Sequence, residues 1–282
     1  MPAALLALIS SVAYGASDYL GGLKAKTLPL VTVLLVSHTA ALAGITATLA
    51  IAVGEMPDAR YFAFGIAAGL AEAVGLAALY NGLAVGKMSI VATVAALAPV
   101  VPVLVATLTG EAPGLIQAAG IVIAVGGICL LALESADEND PHALARPSVS
   151  IFFGLLTALG FGGFLLAMDA SAEGSVQWAL ITARLTSVGL FTAAFLILRP
   201  RENPDLADWG VLIAIGLMTV LADLCFAVAS VRGLLSVVAV LSSLYPVVTI
   251  LLARFHLGEK LSRQQLAGIL VVLAGALALT VG

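Results

Sequence analysis

With 282 residues, 62% of them hydrophobic and 10% charged, and a mean hydropathy of +1.16, the chain carries more apolar surface than a water-soluble fold can bury. That excludes a soluble globular domain and leaves a polytopic membrane protein. The net charge of −4 provides no basic patch and argues against a nucleic-acid partner.

A membrane-crossing helix needs about 20 apolar residues to cover about 30 Å of hydrocarbon. Ten segments qualify. The first, 3–22, superficially resembles a secretory signal. It lacks a charged start and is long enough to span, so it reads as a retained helix, with Asp18 inside it. The second, 29–53, follows the break from Lys24 to Pro29 and contains His38. The third, 61–84, contains Glu72, Tyr80 and Asn81, and Gly86-Lys87 ends it. The fourth, 88–109, holds Pro99 and Pro102, and the fifth, 113–133, is rich in glycine. The stretch ESADENDPHALARP, from Glu134 to Pro147, is the one strongly polar connection and reads as a solvated linker. Its acids Asp137, Glu138 and Asp140 lack the spacing of a calcium loop, and no metal site is expected. Segments 148–168, 175–198 (with Arg184), 208–231 (with Asp223), 234–255 (with Tyr245 and Pro246) and 263–281 complete the chain. Cys129 and Cys225 lie in apolar runs and read as reduced packing residues.

The end of the chain repeats the end of its first half. Ser89 falls on Ser236 and Pro99 on Pro246, each 147 positions later. Glu111 falls on Glu259, Gly120 on Gly268 and Gly127 on Gly275, each 148 later. Tyr14-Gly15 and Phe161-Gly162 match more weakly, as do Gly69 and Gly216. The chain therefore divides into a first repeat at 1–133, a linker at 134–147 and a second repeat at 148–282. Each repeat crosses five times, an odd number, so the second enters from the opposite face. The expected fold is an all-α membrane protein of ten transmembrane helices arranged as two inverted five-helix repeats, the usual build of a secondary transporter.

Pro99, Gly110-Glu111, Gly120 and Gly126-Gly127, answered by Pro246, Gly258-Glu259, Gly268 and Gly275, make the chain resemble the EamA group of the drug/metabolite transporter superfamily over its whole length. The resemblance implies a carrier of small polar metabolites. Amino acids, aromatic ones included, are among the expected cargoes, beside sugars, nucleotide sugars and purine-type metabolites. It also implies that both termini are cytoplasmic. Loop charge says the reverse: Lys24, Lys26, Lys87, Arg146, Arg199, Arg201, Arg254, Lys260 and Arg263 face only Arg60 and Arg232, which puts the termini outside.

Ionisable groups inside a membrane helix are costly, so each is a functional candidate. Glu72 lies roughly 16 Å into its segment at ~1.5 Å per residue, near the midplane. In the repeat it maps onto Thr219, and Asp223 maps onto Leu76, so the two carboxylates share a face of equivalent helices one turn apart. Each is read as binding a substrate ammonium, exchanging a proton, or pairing with Arg184. His38 and Arg184 sit at near-equivalent depths. Their reading is recognition of an anion, with Arg184 able to bond bidentately, or an ion pair with Glu72 or Asp223 that locks the bundle. Small multidrug antiporters, more distant cousins, use a carboxylate in the comparable helix. The basic residues here argue against cationic-drug export. Tyr80, Asn81 and Tyr245 are read as a substrate wall with polar tips, with Trp178 and Phe226 as further aromatic candidates. Pro99, Pro102 and Pro246 are read as pivots or fixed kinks, and Ser89 and Ser236 as helix caps.

No HExxH, G-x-S-x-G or GxxxxGK[ST] occurs, and His38, His142 and His256 are scattered, so neither an enzyme nor an ATPase is expected, and no cofactor. The expected partners are a small-molecule substrate and the lipid bilayer, with the protein a monomer or weak dimer. The leading expectation is export of small metabolites, amino acids foremost, across a bacterial inner membrane by alternating access. The alternatives are export of sugars, nucleosides or drugs by proton antiport, a passive pore, and, remotely, an intramembrane enzyme.

Overall fold

The computed structural model describes residues 3–49, 56–85, 88–133, 147–202, 204–257 and 262–281. The linker from 134 to 146, Gly258-Glu259, Lys87, Lys260 and His142 lie outside the described residues. Twelve helices are present among those described: α1 (Ala3–Lys24), α2 (Leu30–Leu49), α3 (Ala59–Val85), α4 (Met88–Ala95), α5 (Val100–Leu108), α6 (Leu115–Leu133), α7 (Pro147–Ala172), α8 (Val176–Leu198), α9 (Leu206–Ser230), α10 (Leu235–Ser242), α11 (Tyr245–Leu257) and α12 (Arg263–Val281). Among the described residues nine segments are long and apolar enough to cross a membrane, and a shorter apolar helix lies at Leu115–Leu131 within α6. At ~1.5 Å per residue α6 is about 28 Å long, close to the hydrocarbon thickness. The chain is thus an all-α membrane protein with two repeats.

The fourth and ninth predicted segments are each two helices, not one bent helix. Between α4 and α5 the backbone tightens, with Leu97 N–H reaching Val94 O at 3.1 Å, Ala98 N–H reaching Ala95 O at 3.0 Å and Val100 N–H reaching Leu97 O at 2.9 Å. Pro99 caps α5, and Pro102 stands in its first turn, where a missing N–H costs nothing. Ser243 and Leu244 make the same kind of break before α11, which carries Pro246 at its second position.

Helices pack across the halves in pairs that exchange with the repeat. α3 packs on α7 as α9 packs on α1, α3 on α8 as α9 on α2, and α6 packs on α12. The register agrees residue by residue. A Cβ on Gly15 would lie 2.7 Å from Tyr245 O and 2.5 Å from Val248; one on Gly162 would lie 2.5 Å from Ala98 O and from Val101. These are the same positions 147 residues apart. Gly120 meets Leu279 as Gly268 meets Leu131, and Gly127 meets Val272 as Gly275 meets Ala124. The small residues let backbones approach, the usual way helices adhere in lipid.

The helix ends show the sense of the repeats. Lys24, at the end of α1, pairs with Asp208, at the start of α9, at 2.7 Å. Ser171, near the end of α7, donates to Tyr61 O, near the start of α3, at 2.7 Å. These are again equivalent positions. α1 and α9 therefore run antiparallel, whereas α1 and α3, two crossings apart, run parallel. α9 is the counterpart of α3, so the halves are inverted.

Candidate functional site

Arg184 is fully buried, on the face of α8 turned toward α3 and α9. Its Nη2 donates to Glu72 Oε1 of α3 at 2.9 Å and to Asp223 Oδ2 of α9 at 2.7 Å. Each carboxylate keeps a second partner. Ser187, one turn after Arg184, donates its hydroxyl to Glu72 Oε2 at 2.8 Å, and the Tyr14 phenol of α1 donates to Asp223 Oδ1. His38 of α2 places Nε2 3.6 Å from Glu72 Oε1. Its Nδ1 lies 2.9 Å from Leu34 O and donates there, so Nε2 carries a hydrogen toward Glu72 only as imidazolium. Phe191 of α8 holds the imidazole edge-on, with ring centroids 4.7 Å apart.

Four of the five lone ionisable groups, each from a different segment, thus meet in one cluster, and Asp18 is the exception. Two carboxylates face one guanidinium, which leaves one surplus negative charge while His38 is neutral. Arg184 Nε and Nη1, and His38 Nε2, are buried with no hydrogen-bond partner among the described residues. Unpaired buried donors on an arginine are costly, and such groups mark places where something else is bound or exchanged.

The remaining candidates divide. Tyr245 is half-buried and packs edge-on against Tyr14, with centroids 6.3 Å apart, so it borders the cluster through that ring. Tyr80 lines a cavity of about 360 Å³ with Leu34, Phe191 and Leu198, between α2, α3 and α8. Asn81 lines the same cavity. It shares the exposed face of α3 with Leu70, Val74 and Ala77, and its amide donates to Ala77 O of its own helix at 2.7 Å. Pro99 and Pro246 stand at the two helix breaks, and Pro102 is buried one turn beyond the first. Trp178 packs on Phe62, 5.6 Å between centroids, and Phe226 is fully buried in the apolar core. His256 is tied to the Tyr19 hydroxyl at 2.8 Å. Cys129 and Cys225 are both free thiols.

Sequence reasoning missed Tyr14 and Ser187. Hydroxyls are common in membrane helices, and nothing in either residue alone sets it apart. The available signal was helical spacing: Ser187 stands three residues after Arg184, and Tyr14 four before Asp18. Ser236 was read as a cap through its side chain. Its Oγ has no partner among the described residues, and the cap comes instead from Glu111, whose carboxylate accepts the backbone N–H groups of Leu235 and Ser236, the latter at 2.9 Å. Gly110, with φ of +105°, makes the turn that presents Glu111. Beside it, a second cavity of about 340 Å³ is lined by Thr109, Glu111, Asp169 and Leu235.

A family model described as the EamA-like transporter family matches residues 1–133 and again residues 148–281. A solved crystal structure aligns with a TM-score of 0.80 over 99% of this chain and 96% of that one, at 20% identity, a likeness of fold. An uncharacterized protein of Methanocaldococcus jannaschii is 27% identical over 137 residues, which is 47% of this chain and 96% of that protein.

Proposed function

Because the chain belongs to the EamA-like transporter family, whose members carry small solutes across membranes, we propose that it is a secondary transporter that exports amino acids, aromatic ones among them, by alternating access around the Arg184 cluster. One observation carries the reading. Arg184 is held through Nη2 by Glu72 and Asp223, and its Nε and Nη1 remain without partners among the described residues in the middle of the bundle. Each of these two nitrogens keeps an N–H that a carboxylate can accept in a charge-assisted hydrogen bond. An amino acid supplies that carboxylate. The aromatic rings of Tyr14, Tyr245 and Phe191 beside the cluster, with Tyr80 in the cavity that Phe191 also lines, suit an apolar side chain. Glu72 and Asp223 are the carboxylates through which proton coupling would run, and it belongs to the same proposal. The inverted halves provide two related conformations of one chain, which alternating access requires. The inner membrane of a bacterium is the proposed location.

The test is counterflow in vesicles that contain the purified protein. A carrier accelerates uptake of labelled phenylalanine when unlabelled amino acid is present inside. Uptake that does not respond to internal substrate marks a pore. Counterflow with sugars or nucleosides but not amino acids overturns the cargo.

A further inference from the structure

Asp18 is the intramembrane carboxylate that the cluster does not use. It lies on α1 one turn after Tyr14, on the stripe Ala7, Ser11, Tyr14, Asp18. Ala7 and Ser11 on that stripe are buried, at 0% and 3% exposure, and Tyr14 reaches Asp223 inside the bundle. Leu5 and Val12, exposed at 42% and 56%, mark the lipid side, which lies ~130° around the helix from Asp18 at ~100° per residue. Asp18 therefore points inward, and yet it is exposed. An inward residue that is exposed faces an interior space. The next turn leaves that space open, since a Cβ on Gly22 would meet nothing within 4 Å. Tyr80 of α3 and Tyr245 of α11 both lie within electrostatic reach of the Asp18 carboxylate. Among the described residues no cation pairs with it.

Glu72 and Asp223 were the sequence candidates for a substrate ammonium. Both are already saturated, by Arg184 with Ser187 and by Arg184 with Tyr14. We infer that Asp18, on the inner stripe of α1 and open to the interior space, is the receptor for a primary ammonium group on the transported solute. A carboxylate that opens on an interior space lined elsewhere by apolar and aromatic residues matches an ammonium carried next to an apolar body, through ion pairing. The inference rests on the amino-acid reading above and deepens it: Arg184 takes the carboxylate end and Asp18 the amine end.

The experiment uses the purified full chain in detergent and three probes that share a phenyl ring: phenylalanine, phenethylamine, which lacks the carboxylate, and 3-phenylpropionate, which lacks the amine. Binding is measured by calorimetry on the wild type and on Asp18→Asn and Asp18→Glu. The expected result is a loss of at least about tenfold in affinity for phenylalanine and phenethylamine in Asp18→Asn, with 3-phenylpropionate unchanged and Asp18→Glu partly restored. Equal phenethylamine affinity in wild type and Asp18→Asn overturns the inference, as does a loss common to all three probes or a wild type that binds neither amine. A second measurement is independent of how Asp18→Asn folds. Asp18→Cys, in a chain with Cys129→Ser and Cys225→Ser, is expected to react with a cationic thiol reagent added in water. No reaction overturns the interior space. Amine binding that depends on Asp18 in a protein without counterflow removes the transport reading and leaves the site. Counterflow that ignores Asp18→Asn does the opposite.

Discussion

At Arg184 one guanidinium nitrogen serves two carboxylates from two other helices, and the energetics of the site follow from that arrangement. Taking three charges out of water is expensive, and their mutual attraction offsets the cost only while all three are present. Replacing Arg184 by Met leaves Glu72 and Asp223 buried, close and of like charge. Arg184→Met is therefore expected to lose about 3–5 kcal/mol of stability, and the triple variant with Glu72→Gln and Asp223→Asn to recover most of it. Thermal unfolding in detergent measures both. If the single variant is as stable as the wild type, the cluster is not what ties α8 to α3 and α9. The three residues of this triad were legible in the sequence because each is a lone ionisable group in an apolar run. Tyr14 and Ser187 were not, because a hydroxyl in a membrane helix carries no such cost and hence no such signal. Tyr80 and Asn81, adjacent on α3, both line the cavity beside Phe191.

The helices themselves were legible because each needs a long apolar run to cross lipid and the chain has few polar residues to blur the boundaries. The two breaks were read as bends. Pro99 and Pro246 fall instead at helix starts, where proline's fixed φ favours a new first turn, so one crossing is built from two shorter helices. What binds the elements is close approach. A Cβ on Gly160 of α7 would sit 2.5 Å from the Cα of Gly75 on α3, backbone against backbone. Gly160→Val is expected to cost about 1–3 kcal/mol through forced separation of this seam, whereas Gly126→Ala, with nothing within 4 Å, is expected to be neutral or slightly stabilising. A Gly160→Val protein as stable as the Gly126→Ala one contradicts the packing described. At the start of α10, Glu111 accepts two backbone N–H groups with a full negative charge. Glu111→Ala is expected to lower stability by about 1–2 kcal/mol and to raise hydrogen exchange at Leu235 and Ser236 first. Exchange that rises elsewhere but not there shows that the cap is not the origin of the loss.

On the scale of the whole molecule, the seams α3–α7, α1–α9 and α6–α12 all join helices from opposite sides of the polar linker. A half expressed alone exposes its side of every one of them. Residues 1–133 and 147–282 produced as two separate chains in one cell are expected to copurify, and either chain alone to be degraded. Recovery of one half as a stable monomer shows that its core is self-sufficient. The repeat was legible because matching Gly, Pro and Glu positions survive in both copies. The interlocking was not, because internal similarity says that two units are alike and nothing about which faces they share.

The interlocked seams also decide where the molecule can flex. α4 and α5 pack with α7, and α10 and α11 pack with α1, so each compact body borrows its central helix from the other half. Covalent order and mechanical order are interleaved like the fingers of two clasped hands. Cutting the chain at its polar stretch yields two sequence units, yet it slices through both solid pieces. Any rigid displacement that opens one mouth of the protein and shuts the other must run its fault line between those pieces, along α5 and α10 and along α2 and α8, where they touch, and not along the linker.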